Sequence, residues 1–257
     1  LLRCSERGRS CLLESCLLES SLLESSLINK LITTTLLIST VLAGCSVPRE
    51  ESSPQQRPAD FPTAVYTNPD PQSSLYKLDS ASSIVRIKVT RGGAMAKFGH
   101  DHIVASRDVQ GYLLLGEGNS CRADFYTSLN QLIVDDPILR DEAKLLTNPS
   151  EKDIVGTKTN MLISLQAADF PFVQLQSLDC TGAMGGQPVP TSISLHGVTQ
   201  EQQLMMTVTQ TATNNMLISG RFEILQSDFG IEPFSVFNGL LKVEDRLEIT
   251  YQIVARK

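Results

Sequence analysis

Two of the chain's three histidines stand one residue apart, in the run Phe98-Gly99-His100-Asp101-His102-Ile103-Val104. In an extended segment, His100 and His102 project from one face and Asp101 from the other. Two imidazoles so placed suit two kinds of chemistry. They can share a metal ion or serve a haem, with His196 as a third metal ligand. They can also hydrogen-bond the polar head of an amphiphile at the mouth of a cavity, with Phe98 and Ile103 beside its tail. A third reading is structural: Gly99 permits a bend, and the rings satisfy nearby backbone groups. The residue types leave all three open.

Other chemistry is sparse. Ser, His and Asp are present, but no Gly-x-Ser-x-Gly elbow occurs and no Gly-rich phosphate loop follows a strand-like run. Asp135 and Asp136 stand directly before Pro137, which reads as a helix start rather than an acid/base pair. No Cys-x-x-Cys spacing exists, so a zinc ribbon or a thioredoxin-type redox site has no support. The net charge of -6 comes with no basic cluster, which argues against nucleic acid, and Trp is absent. A binding protein without a resident cofactor is expected, not an enzyme; a side-chain-filled structural module is the further alternative.

The elements that would position these residues are strands. In Ile84-Val85-Arg86-Ile87-Lys88-Val89, the set Val85, Ile87 and Val89 faces one way and Arg86 and Lys88 the other. Leu247, Ile249, Tyr251 and Ile253 alternate likewise with Glu248, Thr250 and Gln252. Further alternation lies at 172–176, 191–195 and 204–209, punctuated by turn signals such as Gly185-Gly186, Asn214-Asn215 and Asn238-Gly239. Helical interruptions are expected around Pro137 to Leu146, capped by Asp135 or Asp136, and near Lys152 to Leu162. Many strands, few helices and no β-α alternation predict an all-β antiparallel barrel or sandwich. Phe170, Phe172, Phe222, Phe229, Phe234 and Phe237 are candidates to line an apolar cavity within it, with Met161, Met205 and Met206 as gap fillers. Cys121 and Cys180 are the two cysteines of this region; they either pair or sit as separate small core residues.

Several runs resemble the YceI-like family in order: Gly156-Thr157-Lys158-Thr159-Asn160-Met161-Leu162, Ala168-Asp169-Phe170-Pro171, Leu195-His196-Gly197-Val198-Thr199 and Ser227-Asp228-Phe229-Gly230-Ile231. The resemblance covers about residues 75 to 256. It implies an extended eight-stranded antiparallel barrel, lipocalin-like, with one or two short helices and an interior that holds a long polyisoprenoid. An isoprenoid or isoprenoid-quinone ligand follows, with Phe98, His100, His102, Phe170, Phe172 and Phe229 as candidate contacts. The resemblance also allows a homodimer and implies that His196 is a turn residue. Members commonly carry His-x-Gly after an early strand; here Arg91-Gly92-Gly93 stands there, and Gly99-His100-Asp101-His102 follows.

Upstream, the chain reads as delivery. Residues 11 to 25 are three near copies of a pentapeptide, Cys/Ser-Leu-Leu-Glu-Ser, whose period fits neither a helix nor a strand face. They look like a translated tandem repeat ahead of the true start. Lys30, the apolar run Leu31 to Val41 and Leu42-Ala43-Gly44-Cys45 then follow the order of a secretory signal too short to span a bilayer. The last four residues resemble a bacterial lipobox, with Cys45 as the acylated residue. By the same resemblance Ser46, where Asp would retain the protein in the inner membrane, points to the outer membrane with the protein facing the periplasm. Residues 45–74, rich in Pro, Ser and Gln, read as a semi-rigid tether. The expected organisation is 1–44 repeat and signal, 45–74 lipidated tether, and 75–257 β-domain.

Overall fold

The computed structural model describes residues 57–257. The pentapeptide repeat, the apolar run and Cys45 lie outside the described residues. Twelve strands carry the fold: β1 (Ser74–Leu78), β2 (Ile84–Gly92), β3 (His102–Ser106), β4 (Val109–Leu115), β5 (Cys121–Ser128), β6 (Ile133–Val134), β7 (Phe172–Ser177), β8 (Pro188–Leu195), β9 (Val198–Ala212), β10 (Asn215–Leu225), β11 (Ser235–Val236) and β12 (Leu241–Arg256). The helices are α1 (Thr63–Thr67), α2 (Pro137–Glu142) and α3 (Glu151–Ser164).

Three pairs of strands are broken halves of single staves. On one edge β12 pairs with β2 and then, past the kink at 79–83, with β1. On the other edge β2 pairs with β3 and β1 with β4, so β3 and β4 also run as one. β5 and β6 follow suit, against β4 and β3. With β7, β8, β9, β10 and β12 this makes a closed antiparallel barrel of eight staves. The expected barrel is found, and closure leaves it without long free edges.

Alternation decides what fills it. Val85, Ile87 and Val89 point inward, as do Leu247, Ile249, Tyr251 and Ile253, while Arg86, Lys88 and Glu248 pair outside. One end is packed solid: Tyr76, Leu78, Leu113, Val189, Leu204 and Met216 belong to one buried cluster around the Cys121–Cys180 disulfide. The two cysteines therefore pair, with Cα atoms 4.8 Å apart.

The opposite end carries α3, and α2 packs its Leu139 onto Ile84, Ile103 and Ala105 of the outer wall. Asp136, not Asp135, caps α2, accepting from the N–H groups of Ile138 and Leu139, and Pro137 occupies the first turn. α3 starts at a capping box between Ser150 and Asp153. It lies across this end of the barrel, its Ile154, Met161 and Leu165 neighbours packed against the cluster of Val104, Leu132 and Val134.

The last part of the proline-rich stretch is folded onto the barrel. Phe61 and Tyr66 are buried with Tyr126 against the outer face of β4, β5 and β7. The Tyr66 hydroxyl donates to Asp124, a buried carboxylate that also accepts from Arg122 and from Gln176. Burial first, then the neighbouring carboxylate, pushes the Tyr66 phenol well above its ordinary value. Prolines set the backbone here, but two aromatic anchors decide where it lies.

Candidate functional site

Between the packed end and α3 the barrel is hollow. A cavity of about 290 Å³ is walled by inward residues of the staves, among them Ile87, Val104, Phe125, Leu175, Ile193 and Ile249. Among the described residues its walls include no Lys, Arg, Asp or Glu. Towards the mouth the lining turns polar. Thr157, Asn160 and Ser164 on α3 reach it, spaced to share one helix face, with Met161 between them. This explains why α3 lacks a clean apolar stripe: the face it turns to the barrel is part cavity wall.

His102 is the histidine on that wall. It opens β3, with its side chain 15% exposed, and its Nδ1 lies 2.6 Å from Oδ2 of Asp135. Asp135 is fully buried, in a left-handed backbone conformation at the end of β6. Its Oδ1 accepts from the backbone N–H of Ile103 and from Arg140 Nη1, and Arg140 donates onward to the carbonyls of Asp101 and Thr147. Burial works to raise the Asp135 carboxyl. The hydrogen bond and charge of His102, the Ile103 N–H and the Arg140 guanidinium outweigh it and hold the group below the usual carboxylate range. Asp135 is therefore an anion that only accepts, so Nδ1 of His102 is the donor in this bond.

The other candidates lie elsewhere. His100 precedes the strand in a turn rather than sharing a strand face with His102. Asp101 anchors that turn by accepting from the Arg91 backbone N–H at 3.0 Å. The two imidazole centroids are 6.3 Å apart, and Nδ1 of His100 is buried without a partner. Phe98 is 64% exposed under Lys97, off the cavity wall. Phe172 points outward onto Tyr126, because Val173 and Leu175 hold the inward phase of β7. Phe170 packs its ring on His196 and on Gly197, where a Cβ would stand 2.5 Å from it. Phe229 is fully buried in the core, and its carbonyl accepts from His196 Nδ1 at 3.0 Å. Of the six expected contacts, then, His102 alone lines the cavity; Phe222, Phe234, Met161 and Met206 do so as well.

His196 sits in a two-residue turn between β8 and β9, with positive φ at His196 and Gly197. Its hydrogen bond to the Phe229 carbonyl and its edge-on ring contact with Phe170 knit three of the sequence motifs into one cluster. It is thus a structural turn residue. Among the described residues no three His, Cys, Asp or Glu side chains come together to hold a metal ion, which corrects the three-histidine alternative. Sequence reasoning missed Asp135 and Arg140 as partners of His102. Asp135 was hidden by its neighbour Asp136, which took the capping role that either could have filled.

The sequence profile of the YceI-like domain matches residues 150–255. No curated protein matches the chain. Among solved structures it is similar to a polyisoprenoid binding domain from Saccharophagus degradans implicated in plant cell wall breakdown. That match has a TM-score of 0.50 at 12% identity, covering 70% of this chain and 97% of that one. Burkholderia cenocepacia BcnA gives 0.47 at 14% identity, covering 69% and 98%. A Campylobacter jejuni YCEI protein gives 0.38 at 11%, covering 58% and 81%.

Proposed function

We propose that this chain, whose β-domain is YceI-like, binds an amphiphilic isoprenoid-type lipid inside its barrel. The observation that carries the reading is the cavity: an apolar space with no charged lining among the described residues, closed by a packed core at one end and edged by polar side chains at the other. Such a space favours a hydrocarbon tail by the ordinary burial of apolar surface and leaves a polar head at the mouth. The polyisoprenoid binding named for the Saccharophagus degradans domain supports the choice of tail. The role is binding and carriage rather than catalysis.

Delivery completes the proposal. Cys45 is the acylated N-terminus of an outer-membrane lipoprotein facing the periplasm, and the Cys121–Cys180 disulfide suits an oxidising compartment. A homodimer is part of the same reading. Displacement of a fluorescent apolar probe such as N-phenyl-1-naphthylamine tests the binding. Geranylgeraniol should displace it with saturation at one lipid per chain, and a protein that takes up neither compound contradicts the proposal. Radiolabelled palmitate should enter the wild-type protein and not Cys45→Ala; equal labelling would reject the anchor.

A further inference from the structure

We infer that His102 is the head-group post of the cavity, and that it selects an uncharged head bearing a hydroxyl that donates to its Nε2. The inference rests on the proposed lipid binding and narrows it to a class of head.

The imidazole is held so that one atom is free for a ligand. Its Nδ1–H is committed to Asp135 over 2.6 Å, and Asp135 is fixed in turn by Ile103 and Arg140. Asp135 cannot turn away without leaving the buried Arg140 guanidinium unpaired. His102 lines the cavity, and among the described residues Nε2 has no hydrogen-bond partner. In the neutral ring that atom is a lone pair, an acceptor fixed by the carboxylate behind it.

The surroundings decide what it accepts from. Among the described residues the cavity wall carries no Lys or Arg, so a phosphate or pyrophosphate head would enter without a counter-cation from them. A carbonyl or ether oxygen has no proton to give. The Ser106 and Thr127 hydroxyls, 2.5 Å apart, already satisfy each other. A hydroxyl head meets the need: it donates to Nε2 and still accepts from a neighbour, with Thr157 and Asn160 of α3 on the same lining. The alcohol of a prenol and the phenol of a prenylated hydroquinone share this chemistry. Asp135 acts through His102 as a positioning residue.

Probe displacement by matched ligands tests the inference. Geranylgeraniol should bind about tenfold tighter than its methyl ether, and a prenylated hydroquinone about tenfold tighter than its quinone, the size of one good hydrogen bond. A preference in one pair alone identifies the source of the hydroxyl. His102→Leu should erase the preference within both pairs. In ¹⁵N NMR, geranylgeraniol should move the Nε2 resonance of His102 more than Nδ1, and Asp135→Asn should lose the single Nδ1–H tautomer. Equal wild-type affinity within both pairs, or tighter binding of geranylgeranyl phosphate than of the alcohol, overturns the head-group inference while lipid binding stands. Failure of every ligand to displace the probe overturns both. The wild-type pairs decide the matter even if His102→Leu does not fold.

Discussion

Asp135 and Arg140 form an ion pair at the start of α2 in which both side chains are buried, 0% and 6% exposed respectively. A pair so buried has little net stability to offer as a pair, because desolvation of both charges opposes their attraction. Breaking it is another matter. Asp135→Ala strands the guanidinium among Asp101, Thr147 and α2, and should cost about 3–5 kcal/mol, read as a lower urea midpoint at unchanged m-value.

The same carboxyl sets a pH dependence. Its folded value lies below the ordinary one of about 3.9, so its contribution is fully present above that pH. It is lost as pH falls through the lower folded value, where the carboxylate takes a proton and gives up His102 and Arg140. Asp79, Asp153 and Asp245 shift in the same direction through exposed hydrogen bonds. Urea unfolding at a series of pH values should therefore show wild-type stability falling below about pH 4, and Asp135→Asn should fall less steeply over that interval.

The cavity makes a different kind of prediction, because filling it should hurt binding without hurting the fold. Ala123 lines the hollow part of the barrel on β5, beside Phe125. Ala123→Phe places a ring in space the lipid tail would need, so geranylgeraniol should bind at least about tenfold more weakly while the thermal midpoint holds or rises. Retained affinity would mean that the tail lies outside the barrel.

The disulfide closes a loop of sequence separation 59 at the packed end. In the chain-entropy picture that length corresponds to about 4 kcal/mol. Cys121→Ser with Cys180→Ser should lower stability by a comparable amount in urea titration. Reductant should lower the wild-type thermal midpoint and leave the double variant's unchanged.

Much of this architecture is legible in the sequence, and the exceptions have physical causes. The phase of β2 and β12 follows from alternation because polar and apolar residues take strict turns there. β7 hides its phase: Phe172, Val173 and Leu175 are all apolar, and only Phe61 and Tyr66 settling on the outer wall shows why Phe172 points outward. α3 is legible as a helix near Lys152 to Leu162, yet its role across the cavity is not, because a helix whose inner face is partly polar gives no amphipathic signal. His102 is legible as a candidate. Its partners are not, since pairing β3 with β6 brings Asp135 beside it from 33 residues away, a long-range contact that no local pattern announces.

Mass spectrometry of lipid extracted from the purified, folded protein tests the central claim most directly. The expected result is an isoprenoid lipid with an uncharged, hydroxyl-bearing head, at close to one per chain and depleted in Ala123→Phe. An extract free of isoprenoids, from protein that also fails to take up geranylgeraniol, would contradict the account.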